Sequence, residues 1–184
     1  FVYRDLNGDG IINEKDLAPI GDSWIPRLVY RLSAGIAYRN LDVKVMFQGT
    51  DKSSQTKSGV GIYENYYEEV YNDINRQAWT AERNASNEKI GYPALSLGKS
   101  TNHVDNEYFI MNTSYLRLKN VEIGYTLPIK ASRFLSAEKI RFTLQGQNLF
   151  TWDRMRTDYV DPESGMLERV QPYRVFNVGV SLIF

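Results

Sequence analysis

Residues 28–38 read LVYRLSAGIAY, and their side chains sort into two sets by strict turn-about. Leu28, Tyr30, Leu32, Ala34, Ile36 and Tyr38 form one set, and Val29, Arg31, Ser33, Gly35 and Ala37 the other. Neighbouring side chains of a strand point to opposite faces, so the segment reads as a strand with one apolar face. After a break at Arg39 and Asn40, LDVKVMFQG sets Leu41, Val43, Val45 and Phe47 against Asp42, Lys44, Met46 and Gln48. A two-residue break between alternating runs is the mark of a tight hairpin. Three more segments alternate likewise, at 117–127, 139–150 and 174–184. In the first of these, Leu116 and Leu118 are out of phase with Val121, Ile123, Tyr125 and Leu127, which predicts a bulge near Asn120 or a strand that leaves the lipid zone there. Each segment has about the 9–11 residues a tilted strand needs to cross a bilayer.

The links between strands are unequal. Residues 39–40 and 128–138 are short, whereas 50–114 and 151–173 are long, and the two kinds alternate along the chain. Membrane barrels show this asymmetry, with short periplasmic turns and long extracellular loops, while a soluble sandwich keeps its links shorter. With a periplasmic C-terminus, 5–27, 50–114 and 151–173 are expected outside. Mean hydropathy is −0.43, and no apolar run approaches the roughly 18 residues of a membrane helix. A barrel strand shows only alternate residues to lipid, so low hydropathy does not speak against one. Equal numbers of acidic and basic residues, 22 each, argue against a nucleic-acid partner, and the lack of cysteine excludes disulfides and thiolate chemistry. The opening FVYR reads as the end of a strand with no signal peptide, so the sequence is expected to be part of something longer. Within the longest link, Tyr63, Tyr67, Tyr71 and Tyr66, Val70, Ile74, Ala78 recur at helical spacing and predict a helix over 62–79. Residues 84–106 read as polar loop.

DLNGDGIINEKD, residues 5–16, has the spacing of a calcium loop. Such a loop takes oxygen ligands at positions 1, 3, 5 and 12, a carbonyl at 7, and glycine at 6 for the turn. Asp5, Asn7, Asp9, Gly10, Ile11 and Asp16 meet these demands, and Asn13 adds a ligand at position 9. Asp16 stands where an EF-hand has glutamate, a variant that resembles dockerin-type loops. Calcium is the expected cofactor, and a metal-free Asx and glycine turn is the alternative.

The order DLNGDGIINEKDLAPIGD, FQG, RQAWT, SYLRLKNVEIGYTLP, QGQNLFTW with DPES, and a terminal NVGVSLIF resembles the C-terminal part of SusC/RagA-like TonB-dependent outer-membrane transporters. SYLRLKNVEIGYTLP and GQNLFTW are its most specific pieces, and the resemblance spans essentially residues 1–184. It implies an all-β fold, the last five or six strands of a 22-stranded antiparallel transmembrane barrel, with long extracellular loops and no plug domain in 1–184. It also implies the outer membrane of a Gram-negative bacterium, a SusD-like lipoprotein partner, a TonB connection through regions absent here, and import of oligosaccharides or peptides. Phe176, Val178, Val180, Leu182 and Phe184 resemble the signal read by the barrel-assembly machinery.

Tyr30, Tyr38, Tyr125, Phe150 and Trp152 lie near strand ends, where an interfacial girdle is expected. Loop aromatics such as Tyr63, Tyr66, Tyr67, Tyr71, Trp79, Tyr159 and Tyr173 are expected to form small loop cores, in preference to stacking on sugars. Arg31, Lys44, Gln48, Arg141, Gln145 and Gln147 are the expected lumen-facing residues. No catalytic residue is expected: His103 is the only histidine, and Glu68 and Glu69 are adjacent, diverging by about 100° on a helix. The rival reading is a soluble calcium-dependent β-sandwich that binds carbohydrate.

Overall fold

The computed structural model describes residues 1–59, 62–64, 73–98, 101–164 and 169–184. They fall into two compact units, one of residues 26–52, 113–154 and 172–184, the other of 1–25, 53–112 and 155–171.

The first unit is a five-stranded antiparallel sheet. Its strands are β1 (Leu28–Tyr38), β2 (Leu41–Asp51), β5 (Tyr115–Thr126), β6 (Lys139–Asp153) and β7 (Val175–Ile183), in the order β1-β2-β5-β6-β7. All five strands expected from alternation are present. β1 and β2 form the anticipated hairpin, with Tyr38 opposite Leu41 and Arg39 in the left-handed region at φ 53°. The bulge lies where the phase of the leucines breaks. Met46 pairs with Asn120 but Phe47 pairs with Leu118, which leaves Lys119 as an extra residue in β5. On the other side Leu118 pairs with Phe150 and Asn120 with Gln147, so Asn148 and Leu149 stand opposite Lys119 alone. Asn148 takes φ 52° there, a conformation asparagine tolerates better than most residues. Through this irregularity Leu116 and Leu118 return to the face of Val121, Ile123 and Tyr125.

The link 127–138, short in sequence and expected as a turn, contains a short helix, α2 (Ile129–Phe134). Pro128 opens it, suited to a start where no N–H is needed. Its end is a Schellman closure: Ala137 N–H donates to the Ser132 carbonyl at 3.0 Å and Ser136 N–H to that of Arg133 at 3.0 Å, with Ser136 at φ 59°.

The second unit is built from the long connections. Ile62, Tyr63, Ala78, Tyr92, Phe109 and Val160 form its core, flanked by Ile74, Tyr108 and Met155. β3 (Ser54–Thr56) pairs antiparallel with β4 (Ile110–Asn112), and a five-residue helix, α1 (Ala81–Ala85), is capped by the Thr80 hydroxyl, which accepts from Arg83 N–H at 3.1 Å. Two sequence expectations are corrected here. Of the helix expected over 62–79, residues 65–72 lie outside the described residues; Ile62–Glu64 form a turn, Asp73–Gln77 a 3-10 helix, and Ala78 bridges Tyr92. Phe1–Arg4 join no strand ladder, because Phe1 is drawn into the aromatic core, its ring 5.2 Å from Tyr108 and 5.9 Å from Phe109.

Candidate functional site

Register fixes which side chains share each face of the sheet. One face carries Leu32, Ala34 and Ile36 of β1, Val43, Val45 and Phe47 of β2, Val121 and Ile123 of β5, Phe142 and Leu144 of β6, and Phe176, Val178, Val180 and Leu182 of β7. Across these positions the face has no charged residue. It is nonetheless exposed: Leu32 keeps 64% and Val178 81% of its surface. An isolated exposed leucine is ordinary, but an apolar face running across five strands is a surface meant to be covered. Among the described residues no further strand pairs with this sheet; the only other ladder is β3 with β4.

Aromatic residues edge the face at both ends. Tyr38 and Tyr125 stand at the end with short links, and Tyr30, Phe150 and Trp152 at the end with long links. Phe150 and Trp152 stack at 6.1 Å. Tyr30 lies over Gly49, directly opposite it in register, and its hydroxyl donates to the Tyr115 carbonyl at 3.1 Å. A Cβ at Gly49 would come within 2.4 Å of that carbonyl oxygen and 2.5 Å of the tyrosine ring, so the glycine makes room for the crossing aromatic.

The opposite face is polar, and Arg31, Lys44, Gln48, Arg141, Gln145 and Gln147 all lie on it as expected. Its centre is a network across three strands. Arg141 binds Asp42 through two nitrogens, Nη1 at 2.6 Å and Nη2 at 2.8 Å, and donates to Glu122 at 3.3 Å. Gln145 donates to Glu122 at 3.1 Å, and Lys44 pairs with Glu122 at 3.9 Å. Asp42 is on β2 and Arg141 on β6, so the guanidinium must span β5. It passes over Gly124, where an added Cβ would meet Nη2 at 2.0 Å. A network of two acids and two bases on one side, and no charge on the other, gives the sheet one polar and one apolar surface.

In the second unit, the loop 5–16 is closed by its own carboxylates. Asp5 accepts from Gly8 N–H at 2.6 Å and Gly10 N–H at 2.7 Å. Asp9 accepts from Ile11 N–H at 2.9 Å, and Asp16 joins the two ends by accepting from Leu6 and Asn13 N–H, both at 2.8 Å. The Asn13 N–H, followed by that of Leu6, holds the Asp16 carboxyl below the usual carboxylate range. Asn13 itself accepts from Lys15 N–H at 2.8 Å. Gly8 and Gly10 sit at φ 77° and 80°, which the sharp turn requires. Among the described residues no three acidic or histidine side chains converge as a ready metal centre. The donor set is mixed: three carboxylates, Asn7, Asn13 and the Ile11 carbonyl are oxygen donors of the type calcium takes, and each carboxylate oxygen bound to one N–H keeps a lone pair.

A cluster that sequence reasoning missed surrounds Glu64, which is buried. Its carboxylate accepts from the Tyr92 hydroxyl at 2.6 Å, the Ser96 hydroxyl at 2.8 Å and Ser96 N–H at 3.1 Å, and lies 2.8 Å from His103 Nε2. Burial pushes its carboxyl up, but the bonds from Tyr92, His103 and Ser96 outweigh this and hold it below the usual range. Burial, and then the hydrogen bond to Glu64 and its charge, raise the Tyr92 phenol. His103 also stacks on Tyr63 at 4.6 Å. Its ring is thus engaged on edge and face, which suits a structural knot between 62–64 and 92–103. The four residues are dispersed along the chain, and only the solitary histidine beside so many tyrosines was a signal. Lys57 is buried too, donating to the Ser164 carbonyl at 2.7 Å and Gln55 at 3.1 Å, and burial pushes its amine down to about 8 against the pull of Asp161.

Of the expected loop-core aromatics, Tyr63 is in the core, whereas Trp79, Tyr159 and Tyr173 are exposed. Tyr66, Tyr67, Tyr71, Glu68 and Glu69 lie outside the described residues. Phe176, Val178, Val180, Leu182 and Phe184 are all exposed, the first four along the apolar face of β7.

No family model matches the chain. It is 27% identical over 168 residues to TonB-dependent receptor P26 of Formosa agariphila, covering 91% of this chain and 16% of that protein. It is 28% identical over 126 residues to TonB-dependent receptor SusC of Bacteroides thetaiotaomicron, covering 68% of this chain and 12% of SusC. The fold matches the RagAB peptide importer in its open-open state with a TM-score of 0.65 and 20% identity, over 99% of this chain and 20% of that one. The chain therefore spans about a sixth of the length of the curated relatives it matches. It is a SusC/RagA-like segment of antiparallel β-barrel wall, in the form of an open sheet.

Proposed function

We propose that this chain is part of the wall of an outer-membrane TonB-dependent importer that takes up oligosaccharides or peptides together with a SusD-like surface lipoprotein. The observation that carries the reading is the sorting of all five strands into an uncharged exposed face and a charged, hydrogen-bonded face. In a bilayer the first meets hydrocarbon and the second lines a wet interior. Leu28 to Tyr38 is ten steps, about 33 Å along the strand, which projects to about 25 Å at a tilt near 40°, the height of the apolar band of such barrels.

The names of the relatives, two TonB-dependent receptors and a peptide importer, support import and not catalysis. The rival soluble sandwich lacks support, because the apolar face it would bury is exposed on β1, β6 and β7. The test is detergent dependence of the full-length parent. It should be monodisperse only in detergent or lipid and should co-purify with a surface lipoprotein. A parent that stays monodisperse in plain buffer overturns the membrane reading, and one that never brings down a lipoprotein overturns the partnership.

Two finer assignments belong to the same proposal. The loop 5–16 binds one calcium ion through Asp5, Asn7, Asp9, Asp16 and the Ile11 carbonyl, with Asn13 adding a donor directly or through water. Calorimetric titration of the parent should show calcium heat that Asp9→Ala abolishes; no heat in the parent refutes it. Phe176, Val178, Val180, Leu182 and Phe184 serve as the barrel-assembly signal. Removing Phe184 should lower the amount of heat-modifiable barrel in the membrane, and unchanged amounts refute the assignment.

A further inference from the structure

Helix α2 closes a link between two inner strands of the sheet, with β2 on the far side of β5 and β7 on the far side of β6. Whatever pairs with the edges of β1 and β7 is therefore remote from it. The helix packs against β6. Ile140, at the foot of β6, belongs by register to the apolar face, yet it is 5% exposed while Phe142 and Leu144 above it are 44% and 48% exposed. α2 is the element packed against β6 at that end, and Ser132 and Ala137 there are buried as Ile140 is; we infer that they cover one another, which sets α2 on the apolar side of the sheet.

What α2 then shows outward is specific. Phe134 keeps 87% of its surface, and Ile129 and Leu135 beside it are also exposed. Lys130 is one helical turn before Phe134 and shares its face, and Arg133 is three residues beyond Lys130, so the two cations neighbour each other on one side of the ring. Among the described residues neither cation has an ion-pair partner. Two unpaired cations at this spacing repel one another unless an anion lies between them. The Schellman closure at Ser136 and the buried Ala137 fix the helix end, so Phe134 and Leu135 are held outward by structure. The helix begins three residues after Thr126, just past Tyr125 of the aromatic edge, at the level where a bilayer passes from hydrocarbon to headgroups.

We propose that α2 is a membrane-interface helix, with Phe134 among the acyl chains of the bounding leaflet and Lys130 and Arg133 on the phosphates of anionic phospholipids. An exposed aromatic with two cations beside it, continuous with a lipid-facing sheet, is the pattern of an interfacial anchor. This inference rests on the barrel-wall reading, and the experiment separates the two. In the full-length parent in nanodiscs, spin labels are placed at Val178→Cys on the sheet and at Phe134→Cys on the helix, with the unlabelled-cysteine parent as background. Accessibility to oxygen and to a water-soluble nickel chelate is then compared.

Both sites should favour oxygen several-fold over a label at exposed Asn87→Cys. In nanodiscs containing phosphatidylglycerol, the label at 134 should also sit deeper than in pure phosphatidylcholine. Lys130→Gln with Arg133→Gln should remove that difference without loss of the heat-modifiable barrel. Lipid contact at 178 with nickel access at 134 overturns the helix proposal alone. Shielding of 134 from both probes overturns it as well, in favour of a protein cover. Equal depth in the two lipids overturns the phosphate contacts, and nickel access at 178 overturns the barrel-wall reading.

Discussion

Replacing Leu32 by arginine should harm this protein only if its apolar face is in lipid. Leu32 is four residues from Leu28 and six from Tyr38, about 13 Å and 20 Å along the strand, or roughly 10 Å and 15 Å along the bilayer normal at a tilt near 40°. That places it close to the midplane, where arginine on the lipid face of a barrel costs about 2–4 kcal/mol. At 1.4 kcal/mol per factor of ten, the ratio of folded to unfolded parent should fall roughly 30- to 700-fold. Ser33→Arg, one residue along and on the polar face, provides the control and should stay within about 0.5 kcal/mol of the parent. Denaturant unfolding from vesicles, followed by loss of the heat-resistant band, measures both. If Leu32→Arg and Ser33→Arg behave alike, the assignment of the two faces is refuted, because at 64% exposure in water an arginine at position 32 costs nearly nothing.

Gly49→Ala should cost about 1–3 kcal/mol in the same assay, since its Cβ meets the backbone oxygen of Tyr115 and the Tyr30 ring, and Tyr30→Ala in that background should recover only the ring's share. Glu64→Ala leaves the buried Tyr92 hydroxyl without its acceptor and removes the Ser96 and His103 contacts; about 1–3 kcal/mol of local stability should be lost, read as faster proteolysis within residues 53–112. The pH dependence has a definite sign: Glu64's folded carboxyl lies below its unfolded value, so its contribution is present above the unfolded pKa and is lost as pH falls through the folded one. Proteolysis at pH 3 and pH 6 should therefore differ more in the parent than in Glu64→Gln. Ser136→Gly should stabilise the α2 link by about 1 kcal/mol by relieving a left-handed serine, and no gain in unfolding midpoint would count against the helix closure.

The strands were legible because a sheet with one apolar and one polar face alternates residue by residue, which needs no tertiary information. The same logic located the bulge, since Leu116 and Leu118 had to rejoin the face of Val121 and Ile123. The compensating residues Asn148 and Leu149 were hidden, because LQGQNLF mixes polar and apolar side chains on both faces there. The Arg141 network was only half visible: Arg141, Lys44 and Gln145 were expected to face the lumen, but their meeting with Asp42 and Glu122 depends on Gly124 letting one side chain cross a strand. Least legible was the loop unit. Its core draws on Tyr63, Tyr92, Phe109 and Val160, widely separated in the chain and without periodicity. Likewise α2 is too short for a helical repeat to declare itself, and Phe1 was claimed by ring packing that the strand-like FVYR could not reveal.

The most direct measurement is a cysteine scan along β1 in the full-length parent, in native membranes, with a water-soluble maleimide. The account expects labelling with a period of two: Val29, Arg31, Ser33 and Gly35 react, and Tyr30, Leu32, Ala34 and Ile36 resist until the membrane is dissolved. Uniform labelling along β1, or uniform protection that detergent leaves unchanged, would contradict it.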